Sequence, residues 1–390
     1  MKSKKKILVI TPTYTMPSYP AKGLYVKEQA LCLINGGICD IELIFIDRKS
    51  KPFLTCLKVF LQRLLLRSVS LKQIDDRPVC YYIVFPINRR IPDFLLLGIE
   101  KQYLKLIKKA YLRKANAPDL LHAHTGLPTG HFAHELSKDF DCPFVITEHS
   151  PLMFHFVSKS RGEKVIEAFE RSNYVASLTN FQDQILKRHS SEINSIIIPN
   201  RVDENVFYIN PKISKDDCFT IISVLYSNPV KGSKYLFECF KNLMNSNFNF
   251  KYIIVGEGIE TMKSDCKKLG VFELGEFYFN LNNVELARLY NRSNLFVSSS
   301  LYETFGLAAR EAMLSGIPVL TTDNGGIVDS INENTGRIVP VKDSKALADS
   351  IWKIYENYNN YQPELIRKHI INECGTETFR QKMSHFYSIE

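Results

Sequence analysis

Short runs rich in Val, Ile and Leu alternate with stretches of helical period along almost the whole chain, and this alternation limits the fold more than any other feature. Strands buried on both faces read as continuous apolar runs. When each is followed by a helix, the chain crosses over to a parallel neighbour. The strands expected in the first half are Ile7–Thr11, Ile41–Ile46, Cys80–Phe85, Leu120–His124, Phe144–Thr147, Tyr174–Leu178 and Ile196–Ile198. Helices are expected between them, among them Tyr25–Ile34, Gly98–Lys114, His131–Ser137 and Phe181–Arg188.

The polar stretch Pro199–Lys215, with two prolines, breaks the rhythm and reads as an interdomain linker. Strands are expected again at Thr220–Val224, Tyr252–Val255, Leu295–Ser298, Val319–Thr321 and Arg337–Val339, with helices at Ser233–Met244, Val284–Tyr290, Leu307–Leu314 and Lys345–Tyr358. The expected fold class is therefore α/β, with two Rossmann-like, doubly wound domains in tandem. A chain of 390 residues is long enough for two such cores. The boundaries fall at 1–205 and 206–374, and a final helix in 375–390, carrying Phe379, Met383, Phe386 and Tyr387, is available to pack back on the first domain. Ligands of such sheets bind at the carboxyl ends of the strands.

A composition of 45% hydrophobic and 23% charged residues excludes a disordered chain. The net charge of +9 is uneven: residues 1–200 hold 29 Lys and Arg against 18 Asp and Glu, a balance of +11, while residues 201–390 hold 21 against 23. A basic half suggests an anionic partner or a plain solvated surface. Within it, Lys51–Lys72 is apolar with interspersed Lys58, Arg63, Arg67 and Lys72. Such a stretch suits either an anionic membrane surface or a core helix with a polar edge. Nine single cysteines without a C-x-x-C pair suit reduced thiols and a cytoplasmic setting. The apolar run after Lys4-Lys5-Lys6 is too short for a signal peptide, and no run of about 18 apolar residues exists for a membrane span.

The most informative block runs from Asn294 through Glu303-Thr304-Phe305-Gly306-Leu307 and Glu311 to Gly316-Ile317-Pro318. It reads as a strand, a short loop and a helix. Free N–H groups at a helix N-terminus bind phosphate, and Gly306 allows close backbone approach. Glu311, one and a half turns into the helix, can accept hydrogen bonds from ribose hydroxyls, and Glu303 can reach sugar hydroxyls.

This block resembles the E-x7-E signature of the family 4 retaining glycosyltransferases, which have the GT-B fold. The match continues to Gly325-Gly326. The resemblance implies that Glu303 contacts the transferred sugar and Glu311 the ribose. Val255-Gly256-Glu257-Gly258 is similar to the family's V-G-x-G turn, and Pro229-Val230-Lys231-Gly232 to its P-x-K-G segment, whose Lys binds the donor diphosphate. The expected donor-binding residues are thus Gly23, Lys231, Gly256, Glu303, Thr304, Phe305, Gly306, Leu307 and Glu311. Where the family usually has Arg, five residues before that Lys, this chain has Tyr226; Arg201, Arg310 or Lys22 are candidates to supply the missing cation.

In the first half, the segment after the first strand resembles the family's first β–α loop, with Gly23 near the donor phosphates. Leu120-Leu121-His122-Ala123-His124 resembles its H-x-H strand end, so His124 joins Glu303 and Lys231 as the expected catalytic group. His122, His149 and Asn200 are expected on the acceptor side. No ligand set with metal spacing is found, although seven of the nine histidines fall within 122–189. Asp139-Phe140-Asp141 reads as a turn. No metal or other cofactor is expected.

The resulting expectation is a hexosyltransferase that moves a hexose or N-acetylhexosamine from a UDP- or GDP-sugar to a glycan or lipid-linked acceptor, in surface polysaccharide biosynthesis. It would be cytoplasmic, with the inner membrane face as a candidate site of work, and without nucleic acid as partner. The alternatives are a non-catalytic nucleotide-sugar-binding subunit and a GT-B epimerase. Retention of Glu303, Glu311 and Lys231 argues against the first, and the complete E-x7-E block against the second.

Overall fold

The computed structural model describes residues 4–16, 23–88, 90–150 and 158–389. The chain divides into two compact units: Met1–Ile198 with Arg380–Glu390, and Pro199–Phe379.

Unit 1 contains β1 (Lys6–Thr11), α1 (Leu24–Asn35), β2 (Asp40–Ser50), α2 (Phe53–Leu66), β3 (Lys72–Asp76), β4 (Val79–Ile87), α3 (Asp93–Leu112), β5 (Leu120–His124), α4 (His131–Phe140), β6 (Phe144–Thr147), α5 (Lys159–Arg171), β7 (Tyr174–Ser177), α6 (Asn180–His189) and β8 (Ser195–Ile197). Its eight strands lie in the order β3-β4-β2-β1-β5-β6-β7-β8. All neighbours pair parallel except the β3–β4 hairpin at the edge. Leu8, Ile10, Ile44, Ile46 and Ile83 pack with Phe60, Tyr103, Ile107, Phe132 and Phe169 into one core. Each such side chain contributes about 1.5–3 kcal/mol by leaving water.

Unit 2 contains β9 (Phe219–Leu225), α7 (Ser233–Asn245), β10 (Phe250–Gly256), α8 (Ile259–Leu269), β11 (Gly275–Tyr278), α9 (Asn283–Arg292), β12 (Leu295–Ser298), α10 (Leu307–Leu314), β13 (Val319–Thr322), β14 (Gly336–Val339), α11 (Ser344–Glu356) and α12 (Pro363–Cys374), followed by α13 (Thr376–Phe386). Its sheet is wholly parallel, in the order β11-β10-β9-β12-β13-β14. The α/β class and the two doubly wound sheets expected from the alternation are both present.

The boundaries differ from the sequence reading. Residues 199–205 belong with unit 2, and 199–215 is no free linker. Val202 donates its backbone N–H to the Cys374 carbonyl at 3.1 Å, and Arg367 donates to the carbonyls of Phe207 and Glu204 at 2.6 and 2.7 Å. Phe207 is buried. These satisfied backbone groups tie the segment to α12, where its polar composition hid it.

The chain's end belongs to unit 1 from Arg380 onward. Arg380 donates to the Cys32 carbonyl at 3.2 Å, closing the end of α1. Phe386 and Tyr387 are buried, and the Tyr387 hydroxyl lies 2.8 Å from Nδ1 of His122. Among the described residues no helix is long and apolar enough to cross a membrane. The basic stretch 51–72 folds in part as α2, with Cys56 and Phe60 in the core and Leu54, Leu57, Leu61 and Leu65 exposed.

Replacing Tyr387 by Phe keeps the ring packing but leaves one buried His122 nitrogen without its partner. The expected cost is about 1–3 kcal/mol, read as a lower urea midpoint at pH 7. An unchanged midpoint would remove the C-terminal segment from the list of elements that stabilise unit 1.

Candidate donor and sugar-proximal sites

In unit 2 the informative side chains gather at the carboxyl ends of β9, β10 and β12. After β9 the chain makes a single 3-10 turn, Pro229–Lys231, capped by the Asn228 side chain, which accepts from the Val230 N–H at 3.0 Å. Leu301 N–H donates to the Val230 carbonyl at 2.7 Å, and the Ser299 hydroxyl to the Lys231 carbonyl at 3.1 Å. These bonds fasten the Lys231 turn to the loop after β12. The Lys231 ammonium lies 2.7 Å from Oε1 of Glu303, and that oxygen also accepts from the Ser300 hydroxyl at 2.7 Å. Ser300 was not expected from the sequence; only its place three residues before Glu303 hinted at it. Both partners of the ion pair are half-buried, so the pair is screened less than a surface one.

Glu303 is aimed by its backbone, whose N–H donates to the Asn324 carbonyl at 2.9 Å. Thr304 and the buried Phe305 follow, and α10 begins after Gly306. Gly306 has φ 72°, the left-handed conformation that glycine adopts without penalty. It turns the chain so that the first N–H groups of α10 are left without intrahelical partners, which is what an anion needs. Leu307, the first helical residue, is partly exposed. Glu311 accepts from the Tyr290 hydroxyl at 3.4 Å. Burial and then the Glu311 charge push the Tyr290 phenol well above its ordinary range, so it stays a donor.

Gly256 ends β10 with φ 146°, and a Cβ there would fall 1.7 Å from the Leu225 carbonyl oxygen. Its visible task is to let β10 pass β9 next to Tyr226. The Tyr226 ring lies 5.5 Å from the Lys231 nitrogen and is partly exposed. Its phenol is raised by burial and then by the charges of Glu311, Glu257 and Glu303. Of the candidates named above for the cation absent at this position, Arg201 and Arg310 are engaged with partners within unit 2. Arg201 pairs with Asp203 at 3.0 Å and donates to Thr376 at 3.1 Å. Lys22 lies outside the described residues.

Arg310 is occupied even more fully. It is 1% exposed and lies 3.9 Å from the Phe305 ring centroid. It donates to the carbonyls of Phe305 and Gly326, to the Ser330 hydroxyl at 2.7 Å, and to Glu373 at 2.7 and 3.0 Å. Burial raises the Glu373 carboxyl, but Arg310 and the Ser330 hydrogen bond outweigh it and hold the group below its ordinary range. Arg310 therefore shapes the Glu303–Gly306 loop from behind and has no donor left for a ligand.

In unit 1, β5 places His122 and His124 on one face, with ring centroids 4.6 Å apart. Their roles differ. His122 lies 2.8 Å from Tyr387 and 2.8 Å from Thr147, so both ring nitrogens are taken. The hydroxyls can each donate or accept, which suits either tautomer. The acceptor-side expectation for His122 is therefore corrected: its ring is a structural tie. His124 presents Nδ1 to Nε2 of His149 at 2.9 Å, and one of the two must donate while the other accepts. Tyr25 packs on His149 at 5.0 Å.

Burial lowers all three histidines, leaving them neutral: His122 to about 3 and His149 to about 4, with His124 also well down. Beside them Glu148 is fully buried and accepts from the Gly126 N–H at 2.7 Å. Burial pushes its carboxyl up. Glu148 and Tyr25 were not singled out from the sequence, although Glu148 directly precedes His149, which was. Gly23 caps α1 with φ 71°. Asn200 is corrected in position: it belongs to unit 2, because its segment bonds to α12. Asp141 takes the left-handed conformation that ends α4, consistent with a turn.

The two doubly wound α/β units have the GT-B type of fold. Residues 207–369 match the family of the glycosyl transferases group 1, and the chain is a transferase enzyme. It is similar to a probable sucrose-phosphate synthase of Thermosipho melanesiensis, 24% identical over 93% of this chain and 90% of the relative. It is also similar to the putative teichuronic acid biosynthesis glycosyltransferase TuaC of Bacillus subtilis, 23% identical over 92% of this chain and 91% of the relative. Its fold matches HepE of Anabaena, solved in complex with UDP, with a TM-score of 0.73 at 16% identity over 98% of this chain and 99% of that one.

Arg310→Met leaves the half-buried Glu373 without its cation and the Phe305 and Gly326 carbonyls without their donor. A loss of about 3–5 kcal/mol is expected, measured by urea unfolding; a loss below about 1 kcal/mol would mean that the guanidinium is dispensable behind the loop.

The histidines give a pH dependence of definite sign. Unfolded rings bind protons near pH 6.5, whereas those of His122 and His149 in the fold do so only near 3 and 4. Their contribution is complete above about pH 6.5 and falls as the pH drops toward 4, by about 1.4 kcal/mol per unit for each ring. Urea midpoints followed from pH 7 to 5 should decline, and less steeply in His149→Asn. Parallel slopes in the two proteins would overturn the assignment of His149 as a buried neutral ring.

Proposed function

We propose that the enzyme is a retaining hexosyltransferase that takes a hexose or N-acetylhexosamine from a UDP- or GDP-sugar. Its acceptor is a hydroxyl of a glycan or lipid-linked molecule at the inner membrane face, in the assembly of a surface polysaccharide. The observation that carries this reading is the Lys231–Glu303 pair at 2.7 Å beside the start of α10, with Glu311 further along the same helix. The UDP complex of HepE supports a uridine nucleotide, and TuaC a polysaccharide setting.

The chemistry needs a leaving diphosphate stabilised at the strand ends. Lys231 offers a compact charge, and the N–H groups of α10 offer fixed dipoles that require no reorganisation. We assign Thr304, Phe305 and Leu307 to the wall of this cradle and keep Gly23 and Gly256 as proposed donor-binding residues, each in its own unit. Before the donor arrives, Glu303 neutralises Lys231. A diphosphate takes over the ammonium, and Glu303 is released to the sugar hydroxyls. Glu311 receives the ribose hydroxyls. His124, held neutral and oriented by His149, supports the sugar at the reacting carbon, and Asn200 serves the acceptor. The diphosphate oxygen that leaves takes the acceptor proton on the same face, so the anomeric configuration is retained. No metal or cofactor is part of this reading.

Thermal stabilisation across UDP, GDP, ADP and TDP tests it. A nucleotide at 100 times its Kd adds about 2.7 kcal/mol, and one of the four should do so, with the effect lost in Glu311→Ala. Lys231→Ala should weaken that nucleotide roughly 10- to 100-fold, the worth of a charged hydrogen bond. Glu303→Gln should bind it at least as tightly as the wild type, because the competing carboxylate is gone, while losing transfer. Weaker binding in Glu303→Gln would overturn the hand-off from Lys231 to the sugar. No stabilisation by any nucleotide would favour a non-catalytic role for the site, with Tyr226 as its mark.

A further inference from the structure

We infer that Tyr226 is a donor-binding residue: its phenol donates a hydrogen bond to the diphosphate of the nucleotide, and its neutrality leaves Glu303 and Glu311 free for the sugar and the ribose. The inference rests on the reading above that unit 2 binds a nucleotide-sugar, and it names a second side chain that holds the phosphates.

The first observation is position. Tyr226 directly follows β9, an inner strand with β10 on one side and β12 on the other. Ligands of doubly wound sheets bind at such strand ends. Tyr252 and Tyr290 are buried in the same unit, whereas Tyr226 is 46% exposed and so is not spent on the core. Its backbone is nevertheless fixed. Asn228 N–H donates to the Tyr226 carbonyl at 2.7 Å, and Lys231 N–H to the Asn228 carbonyl at 2.9 Å. The turn after β10 presses on the same segment, because a Cβ on Gly258 would fall 2.2 Å from the Ser227 Cβ.

The second observation is the company that the ring keeps. Its centroid lies 5.5 Å from the Lys231 nitrogen, which is itself 2.7 Å from Glu303. The ammonium offered to a diphosphate is therefore shared by a carboxylate and an aromatic face. Among the described residues the Tyr226 hydroxyl has no hydrogen-bond partner. Burial and then the charges of Glu311, Glu257 and Glu303 raise the phenol, so its O–H remains a donor at neutral pH. The carboxylates that the donor reading uses are already served: Glu303 accepts from Lys231 and Ser300, and Glu311 from Tyr290.

The third step is chemical. A guanidinium at this place would be drawn to the carboxylates around it, and its bidentate fork would hold one of them out of use. A phenol carries no charge and offers one O–H. It neutralises no carboxylate, yet its bond to an ionised phosphate oxygen is charge-assisted and stronger than a neutral one. A free O–H on a fixed turn beside Lys231 thus meets the phosphate that Lys231 draws in. The diphosphate is held by one formal charge and several neutral donors.

The test is isothermal titration at pH 7 with whichever of UDP, GDP, ADP and TDP stabilises the wild type, and with its nucleoside. Tyr226→Phe keeps the ring against Lys231 and removes only the hydroxyl. It should bind the diphosphate roughly tenfold more weakly and the nucleoside as the wild type does. Tyr226→Arg adds a charge, so its Kd for the diphosphate should rise more steeply with salt than that of the wild type. The position is half-exposed, and urea midpoints like that of the wild type check that both variants fold. Unchanged diphosphate binding in Tyr226→Phe, an equal loss for diphosphate and nucleoside, or a wild-type salt response in Tyr226→Arg would each overturn the assignment. A wild type that binds a diphosphate while Tyr226→Phe binds it equally well would sink this inference alone; a wild type that binds no nucleotide would sink the donor reading and Tyr226 with it.

Discussion

The donor-side architecture depends on one buried guanidinium. Arg310 projects from α10 into the interior of unit 2 and holds the carbonyls of Phe305 and Gly326, two loops that are far apart in sequence. Glu373, from α12, neutralises it, and Ser330 fills a further position. A buried Arg without these partners would be strongly destabilising, so the loop, the glycine pair and α12 are specified together. The loop that carries Glu303 therefore owes its shape to a side chain that no ligand touches. A planar fork of five donors can serve four acceptors at once, which a lysine in this position cannot do.

The fold was largely legible because buried parallel strands write a simple pattern. β1, β5, β6, β12 and β13 are short, largely buried runs rich in apolar residues, and each appears where the alternation placed it. The strands it passed over share a physical reason. β3 is an edge strand of sequence KQIDD, with only one face against protein and hence few apolar residues to announce it. β11 is the other sheet's edge, with all four residues half-buried. The stretch read as a linker could be mostly polar because much of its contact with α12 runs through its own backbone carbonyls.

The site was legible to a different degree in each unit. Glu303 and Gly306 share one loop, and local geometry is what sequence spacing records; Lys231 meets Glu303 across 72 residues because the strands before their loops, β9 and β12, are neighbours. In unit 1 the spacing placed His122 and His124 on one face, but it could not tell them apart. Their difference comes from Tyr387, 265 residues away from His122, and from His149 on the next strand. Glu148 was equally hidden, since its environment is built by the Gly126 N–H and by Gln182, which donates to its carbonyl at 2.8 Å. Long-range partners decide which of several polar groups is structural and which is left to act.

The charge balance around Lys231 has a consequence for how an anion is held. Tyr226 feels the carboxylates of Glu311, Glu257 and Glu303, while Arg201 and Arg310 are committed elsewhere. On the proposed reading, a diphosphate entering this site meets the Lys231 ammonium, whose charge is already shared with Glu303. Attraction at a distance is therefore weak, and binding relies on short-range contacts: the N–H groups of α10, the Lys231 hydrogen bond and the turn at Gly306. Fixed dipoles act only over the first turn and only on a group placed against them. On the reading proposed above, a site arranged in this way selects by fit rather than by net charge, and the release of Glu303 from Lys231 ties the arrival of the phosphate to the freeing of the carboxylate proposed to face the sugar.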